Sequence, residues 1–235
     1  MDDIILFHGS RGGFDGDIKP ISRKTCDFGK GFYMGTDIMQ AKEIVSNDFE
    51  PYLYTLKLKL SEIPENKILD LRKNNNKWID IILANRRKVP DFNKLEYSKK
   101  LITLCNNYDI IIGPIADDSM TKVMNYFRQN LITDKVLCEC VKTVNLGTQY
   151  VAKNDFACSK IEILNCKEVT EDMAIEAKEY ENIKRINSKS IIKDLVRNHR
   201  TEGLYLDQII ENKNNEEMFL DKEDVDYDRW RKTRI

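Results

Sequence analysis

Residues 52–60, YLYTLKLKL, alternate without a break, with Tyr54, Leu56, Leu58 and Leu60 on one side and Lys57 and Lys59 on the other. Successive side chains of a strand point to opposite faces, so the pattern is a strand with one face buried and one wet. Strands of a parallel α/β sheet are covered on both faces and read as continuous apolar runs. This segment therefore asks for an antiparallel sheet.

The other elements read as mixed α and β with no regular βαβ rhythm. Ile4–Phe7 is a short apolar run ending at His8-Gly9, and residues 31–36 form a second short strand. Asp37 stands where a helix N-cap stands, ahead of MQAKEIV. Residues 73–100 carry an apolar knot at Trp78, Ile81, Ile82 and Leu83 and read as helix, with a loop at Val89-Pro90-Asp91. DIII at 109–112 runs into Gly113-Pro114, a buried strand and a turn. Two amphipathic helices come next. Asp118 or Ser119 caps the first, with Met120, Val123, Met124 and Phe127 as its stripe. Thr133 or Asp134 caps the second, which covers 135–144. Strands are expected at 149–152 and 160–164. Beyond about residue 170 charge density rises, and one helical stripe remains, Ile191, Ile192, Leu195, Val196 and His199. The stripes of the two capped helices are read as core.

Composition excludes several classes. With 38 basic against 39 acidic residues the net charge is −1, which argues against a generally cationic nucleic-acid or membrane binder. The acidic start, MDDIILFHGS, has too short an apolar run for a secretion signal, and no stretch approaches the roughly 20 apolar residues of a membrane span. The six cysteines are read as reduced, in a cytoplasmic protein. Cys138 and Cys140, as CEC, lack zinc spacing, so no metal is expected.

Three pieces carry the chemistry. In FHGSR, residues 7–11, a histidine followed by glycine at a strand end leaves an imidazole over backbone that a ligand can approach. Read alone, His8 is more simply a satisfied histidine in a loop. In CDFGKGFYMGTD, residues 26–37, Gly29, Gly31 and Gly35 surround Phe32 and Tyr33. In LGTQY, residues 146–150, Gln149 enters a strand just after a glycine.

In this order the pieces resemble the ADP-ribosyltransferase superfamily, in its poly(ADP-ribose) polymerase branch. There a histidine-glycine-serine strand is followed by a glycine-lysine-glycine-aromatic-tyrosine strand. The chain is most similar to an uncharacterised bacterial family of that superfamily, whose members carry HGS, FGKGFY-T-D-x-x-QA and GP-x-ADD runs, here at 8–10, 28–41 and 113–118. The resemblance covers about residues 4–165. It implies an α+β fold with a split antiparallel β core and flanking helices, NAD as co-substrate, and His8, Tyr33 and Gln149 as catalytic residues. By the same resemblance His8 holds the adenosine ribose, Gly9 binds the nicotinamide amide through its backbone, and Ser10 supports that amide. Gly31 and Tyr33 border the ring, with Tyr33 stacked on it, while Phe32 faces the other side of the strand as core.

The superfamily's third residue is usually a glutamate. Gln149 can still accept a hydrogen bond from the ribose hydroxyl but lacks the charge, which favours a mono-transferase over a polymerase. By that reasoning Gln149→Glu preserves or raises NAD cleavage wherever the pocket accepts a carboxylate. Glu139, Asp117 and Asp118 are rivals for the acid. The expected organisation is an ADP-ribosyltransferase-like domain, residues 1–165, and a charged, partly helical C-terminal extension, residues 166–235. The expected function is mono-ADP-ribosylation of a protein or nucleic-acid acceptor with release of nicotinamide. A bacterial toxin of a toxin–antitoxin or phage-defence pair fits this by analogy, its antitoxin or partner protein meeting the C-terminal extension. The alternatives are a non-catalytic NAD-binding module and an NAD glycohydrolase.

Overall fold

The structure, a computed structural model, describes residues 1–216 except 15, 74, 117, 144–146 and 200; the side chains of 75, 118, 119 and 213–216 also lie outside the description. Asp117, the side chain of Asp118 and the tail from 217 onward therefore fall outside the described residues. The fold is α+β, built on one mixed sheet of seven strands.

The alternating segment forms β3 (Pro51–Leu58), with Tyr54, Leu56 and Leu58 buried; Leu60 is buried just beyond it, in a 3-10 turn. It pairs along its whole length with β1 (Ile4–Arg11), from Ile4 opposite Leu58 to Arg11 opposite Pro51. Its other edge carries β7 (Ile161–Glu168). The second half of the sheet is β2 (Phe32–Gly35), β6 (Thr148–Ala152), β5 (Ile110–Pro114) and β4 (Ile68–Asp70). Only β4 and β5 pair in parallel, so the core is antiparallel except for that edge pair. The two halves, β4-β5-β6-β2 and β1-β3-β7, meet at a single residue pair, Phe7 opposite Gly35.

Side-chain alternation sorts the sheet into two faces. Leu6, Phe32, Met34, Tyr54, Leu56, Ile110, Ile112 and Tyr150 share one cluster. Leu69, Ile111 and Val151 join the larger cluster under the helices, around the fully buried Trp78. Helix α1 (Ile38–Val45) starts where expected, because Asp37 Oδ1 accepts from the backbone N–H groups of Met39 at 2.9 Å and Gln40 at 3.4 Å. The region 73–100 is broken into three helices, α2 (Asn75–Arg86), α3 (Pro90–Lys94) and α4 (Glu96–Asn106), and the loop expected at 89–91 is confined to the residues before Pro90. Pro90 opens α3 at its first turn, where a missing N–H costs nothing. The two amphipathic stripes become α5 (Asp118–Arg128) and α6 (Asp134–Thr143), with buried Met120, Val123, Met124 and Phe127 on the first. A single turn, α7 (Asp155–Cys158), leads into β7.

The boundary expected at residue 165 falls inside β7, and the chain beyond that strand is not set apart from the core. Helix α8 (Glu171–His199) packs on α1, α5 and α6, and its stripe Ile191, Ile192, Leu195 and Val196 lies against the large cluster. Leu206 and Ile209 of α9 (Leu206–Glu216) are buried within it. Among the described residues no helix is long and apolar enough to cross a membrane.

Candidate functional site

The seam between the half-sheets brings the first two motif pieces together. Beyond Phe7 and Gly35 the ladder stops; continued, that register would set His8, Gly9 and Ser10 opposite Met34, Tyr33 and Phe32. His8 is not at a strand end, contrary to the expectation from sequence. β1 runs on to Arg11, because β3 supplies partners as far as Pro51. Across the seam His8 Nδ1 lies 2.6 Å from the Tyr33 carbonyl oxygen. A carbonyl only accepts, so Nδ1 carries the proton and donates, and the neutral ring keeps Nε2 as an acceptor. Burial lowers the His8 pKa, with the bond to Tyr33 acting the other way. The ring lies 4.5 Å from the centroid of Phe32 and 5.5 Å from that of Phe14, which itself stacks on Tyr54.

Tyr33 leaves β2 on the opposite face from His8 and packs against the large cluster. Its hydroxyl donates to the Gly29 carbonyl at 2.7 Å and accepts the Phe28 N–H at 3.0 Å. Tyr33 thereby pins the tight turn 26–29, in which Gly29 sits at φ 75. Phe28, wholly buried, would lie 2.8 Å from a Cβ on Gly113. Burial pushes the Tyr33 hydroxyl pKa far up, so it stays protonated.

Gln149 faces the same side as Tyr33, paired with Gly35 across β2 and β6. It is 8% exposed, and its Nε2 donates to Asp27 Oδ2 at 3.2 Å and to the Pro114 carbonyl at 2.9 Å. Both partners are pure acceptors, which fixes the amide orientation and leaves Oε1 as its acceptor end. Asp27 Oδ1 pairs with Arg86 Nε at 2.7 Å. Pro114 also accepts from Trp78 Nε1 at 3.1 Å. A carboxylate thus stands behind the glutamine, and its charge polarises the amide toward a more electron-rich Oε1. Sequence reasoning missed Asp27 and Arg86. Asp27 is the second residue of CDFGKGFYMGTD and could have been weighed there; Arg86 lies 59 residues away and carries no local signal.

The motif glycines serve close packing inside the chain. A Cβ on Gly9 would stand 2.3 Å from the Ala41 carbonyl oxygen, so the glycine seats α1 on β1. A Cβ on Gly31 would stand 2.5 Å from Val151 Cγ1. Ser10 Oγ donates to the Gly13 carbonyl at 3.2 Å. The structure thus gathers Gly31, Tyr33 and Gln149 on one side of the seam and His8 with Phe32 on the other, Phe32 being buried as expected. Glu139 lies on α6, held by Lys135 and Lys142 at 3.0 Å each, with its pKa lowered by those contacts. Both of these partners are lysines of its own helix. Among the described residues no three His, Cys, Asp or Glu side chains stand together as metal ligands would.

A family model described as a protein of unknown function, DUF3990, matches residues 4–163, and the chain belongs to that family. No curated protein and no solved structure matches it.

Proposed function

We propose that this chain is an NAD-dependent mono-ADP-ribosyltransferase, acting on a protein or nucleic-acid acceptor with release of nicotinamide. The observation that carries the reading is the seam. The half-sheets part just where the His8-Gly9-Ser10 and Gly31-Phe32-Tyr33 segments face each other, and Gln149 stands one strand away with an acceptor oxygen to spare. In this reading NAD lies along the seam. The backbone of Gly9 takes the nicotinamide amide, with Ser10 beside it and Gly31 and Tyr33 along the ring. His8 Nε2 accepts a hydroxyl of the adenosine ribose.

Gln149 Oε1 accepts a hydroxyl of the nicotinamide ribose. The bond from that ribose carbon to the nicotinamide nitrogen breaks with its electron pair leaving on nicotinamide, and positive charge develops on the sugar. An electron-rich oxygen already oriented there stabilises that charge more than it stabilises the ground state. Asp27, behind the amide, supplies negative charge that glutamine lacks, though Arg86 offsets part of it. The acceptor's nucleophilic atom then bonds to the same ribose carbon and loses its proton to solvent.

The test is incubation of the pure chain with NAD labelled in its adenylate half, together with cell lysate. Label on protein or nucleic acid, with free nicotinamide, is the expected result. Free nicotinamide and ADP-ribose alone would make it a glycohydrolase. Intact NAD with measurable binding would make it a binding module.

A further inference from the structure

We infer that the cleft between the end of α2 and α5 is an oxyanion site for a small phosphate-bearing ligand. Three cations line it, Arg86, Lys88 and Arg128, with the neutral hydrogen-bonding groups Thr121 and Asn125 between them. None of its described lining residues is acidic. Arg86 turns Nε to Asp27 and NH1 toward the cleft, where Thr121 Oγ1 lies at a long 3.4 Å. Arg128 NH1 donates to Asn125 Oδ1 at 2.7 Å, while its Nε is buried with no hydrogen-bond partner. A buried guanidinium N–H without an acceptor is costly, and cations converging on one cleft repel. An oxyanion in the cleft relieves the repulsion, since guanidinium forks match phosphate oxygens.

The backbone builds the same arrangement. Arg87, the residue after α2, sits in the left-handed region at φ 52, an uncommon conformation for a long side chain. Lys88, the next residue, lines the cleft. The site is a cluster of three cations in a chain whose net charge is −1. Two sources offer the chemistry, the diphosphate of the dinucleotide itself and a separate phosphorylated molecule. Arg86 shares Asp27 with Gln149, which sets the cleft beside the proposed ribose contact. The inference does not rest on NAD cleavage, and its test reads anion binding alone.

Isothermal titration of the full chain with inorganic pyrophosphate, without divalent metal and at low salt, should give saturable binding that weakens as salt rises. Lys88→Gln and Arg128→Gln should each weaken it about tenfold or more, the scale of one charged hydrogen bond. Lys100→Gln, on α4, should leave it unchanged. If Arg128→Gln fails to fold, Lys88→Gln carries the test, because that side chain is exposed. No saturable binding, or equal affinity in the parent and Lys88→Gln, overturns the inference. In a second arm ADP-ribose is titrated against bound pyrophosphate. Displacement assigns the cleft to the dinucleotide's own diphosphate, and independent binding assigns it to a separate phosphorylated molecule.

Discussion

Replacing Gln149 by glutamate tests the site where sequence and structure diverge most. Resemblance alone makes the change a restoration of the usual carboxylate. The surroundings of Gln149 oppose it: its NH2 group donates to the Asp27 carboxylate and to the Pro114 carbonyl. A glutamate puts oxygen against both acceptors. If it stays ionised, two carboxylates about 3 Å apart at an effective dielectric near 20 repel by about 5 kcal/mol before Arg86 offsets a part. If instead it holds a proton at about pH 7, it does so about 2.7 units above its ordinary pKa, at a cost of about 3.7 kcal/mol. The protonated form also donates once where the amide donated twice, which costs about 1 kcal/mol more. The ionised form loses both donations, about 2 kcal/mol on top of the repulsion, so protonation is the cheaper route and Gln149→Glu should lose about 4–5 kcal/mol at neutral pH, on the order of 10 °C in melting temperature.

The loss has a definite sign with pH. The introduced carboxyl has its folded pKa raised above the unfolded value near 4.3. The deficit is therefore small below about pH 4.3 and grows by about 1.4 kcal/mol per unit as pH rises, until the folded pKa is passed. Urea unfolding of parent and variant at several pH values between about 4.5 and 7.5 measures it. Adding Asp27→Asn gives the glutamate an N–H donor and should recover part of the loss at neutral pH. A Gln149→Glu chain as stable as the parent at neutral pH, or a deficit that does not change with pH, would refute the reasoning. If NAD turnover also rose, the acceptor oxygens of Asp27 and Pro114 could not be where the structure places them.

Three further outcomes are expected. Tyr33→Phe keeps the ring but strands the Gly29 carbonyl and the Phe28 N–H, and should cost about 1–3 kcal/mol in urea unfolding; an unchanged midpoint would mean the turn is held by other means. Gly9→Ala forces α1 off β1, because the added methyl meets the Ala41 carbonyl, and should cost about 1–3 kcal/mol or more, with faster hydrogen exchange in α1. His8 has a folded pKa lowered by burial, so the unfolded chain binds the extra proton first as pH falls below about 6.5, and stability drops there and is constant above. Unfolding of the parent and of His8→Gln between about pH 5 and 7.5 should differ in slope only below about 6.5, and parallel curves would exclude a buried neutral His8.

What was legible in the sequence was local. The alternation of 52–60 and the cap at Asp37 depend on residues within a turn or a strand of one another, and both stand in the structure. β4 was not legible, since three residues hold no period, and its parallel pairing with β5 is set by the chain between them. The sequence pattern of β1 stops at Phe7, because His8-Gly9-Ser10 has no strand pattern of its own; its last residues are strand only because β3 lies alongside. The pattern of β7 likewise stops at residue 164, where its apolar side chains end, and the strand continues through mostly polar residues along the edge of β3. At the site, the three motif pieces were legible as pieces. Their division between the two faces, and the Asp27–Arg86 pair behind Gln149, arise from contacts between distant segments.

The single pair that joins the half-sheets shifts a mechanical task onto α8. One rung of backbone hydrogen bonding is a pivot rather than a weld, so the angle of the seam has to be fixed from outside the sheet. α8 reaches across as a splint: it lies on α1, which is seated over β1, and on α5 and α6, which cover the β5–β6 side. Lys184 fastens its middle to Asp37 at 2.9 Å, and Lys42 reaches from α1 to Glu176 at 3.1 Å. The residues matched by the family model stop at 163, before the splint begins. A fragment cut there would keep every motif and lose the brace that sets how wide the seam stands.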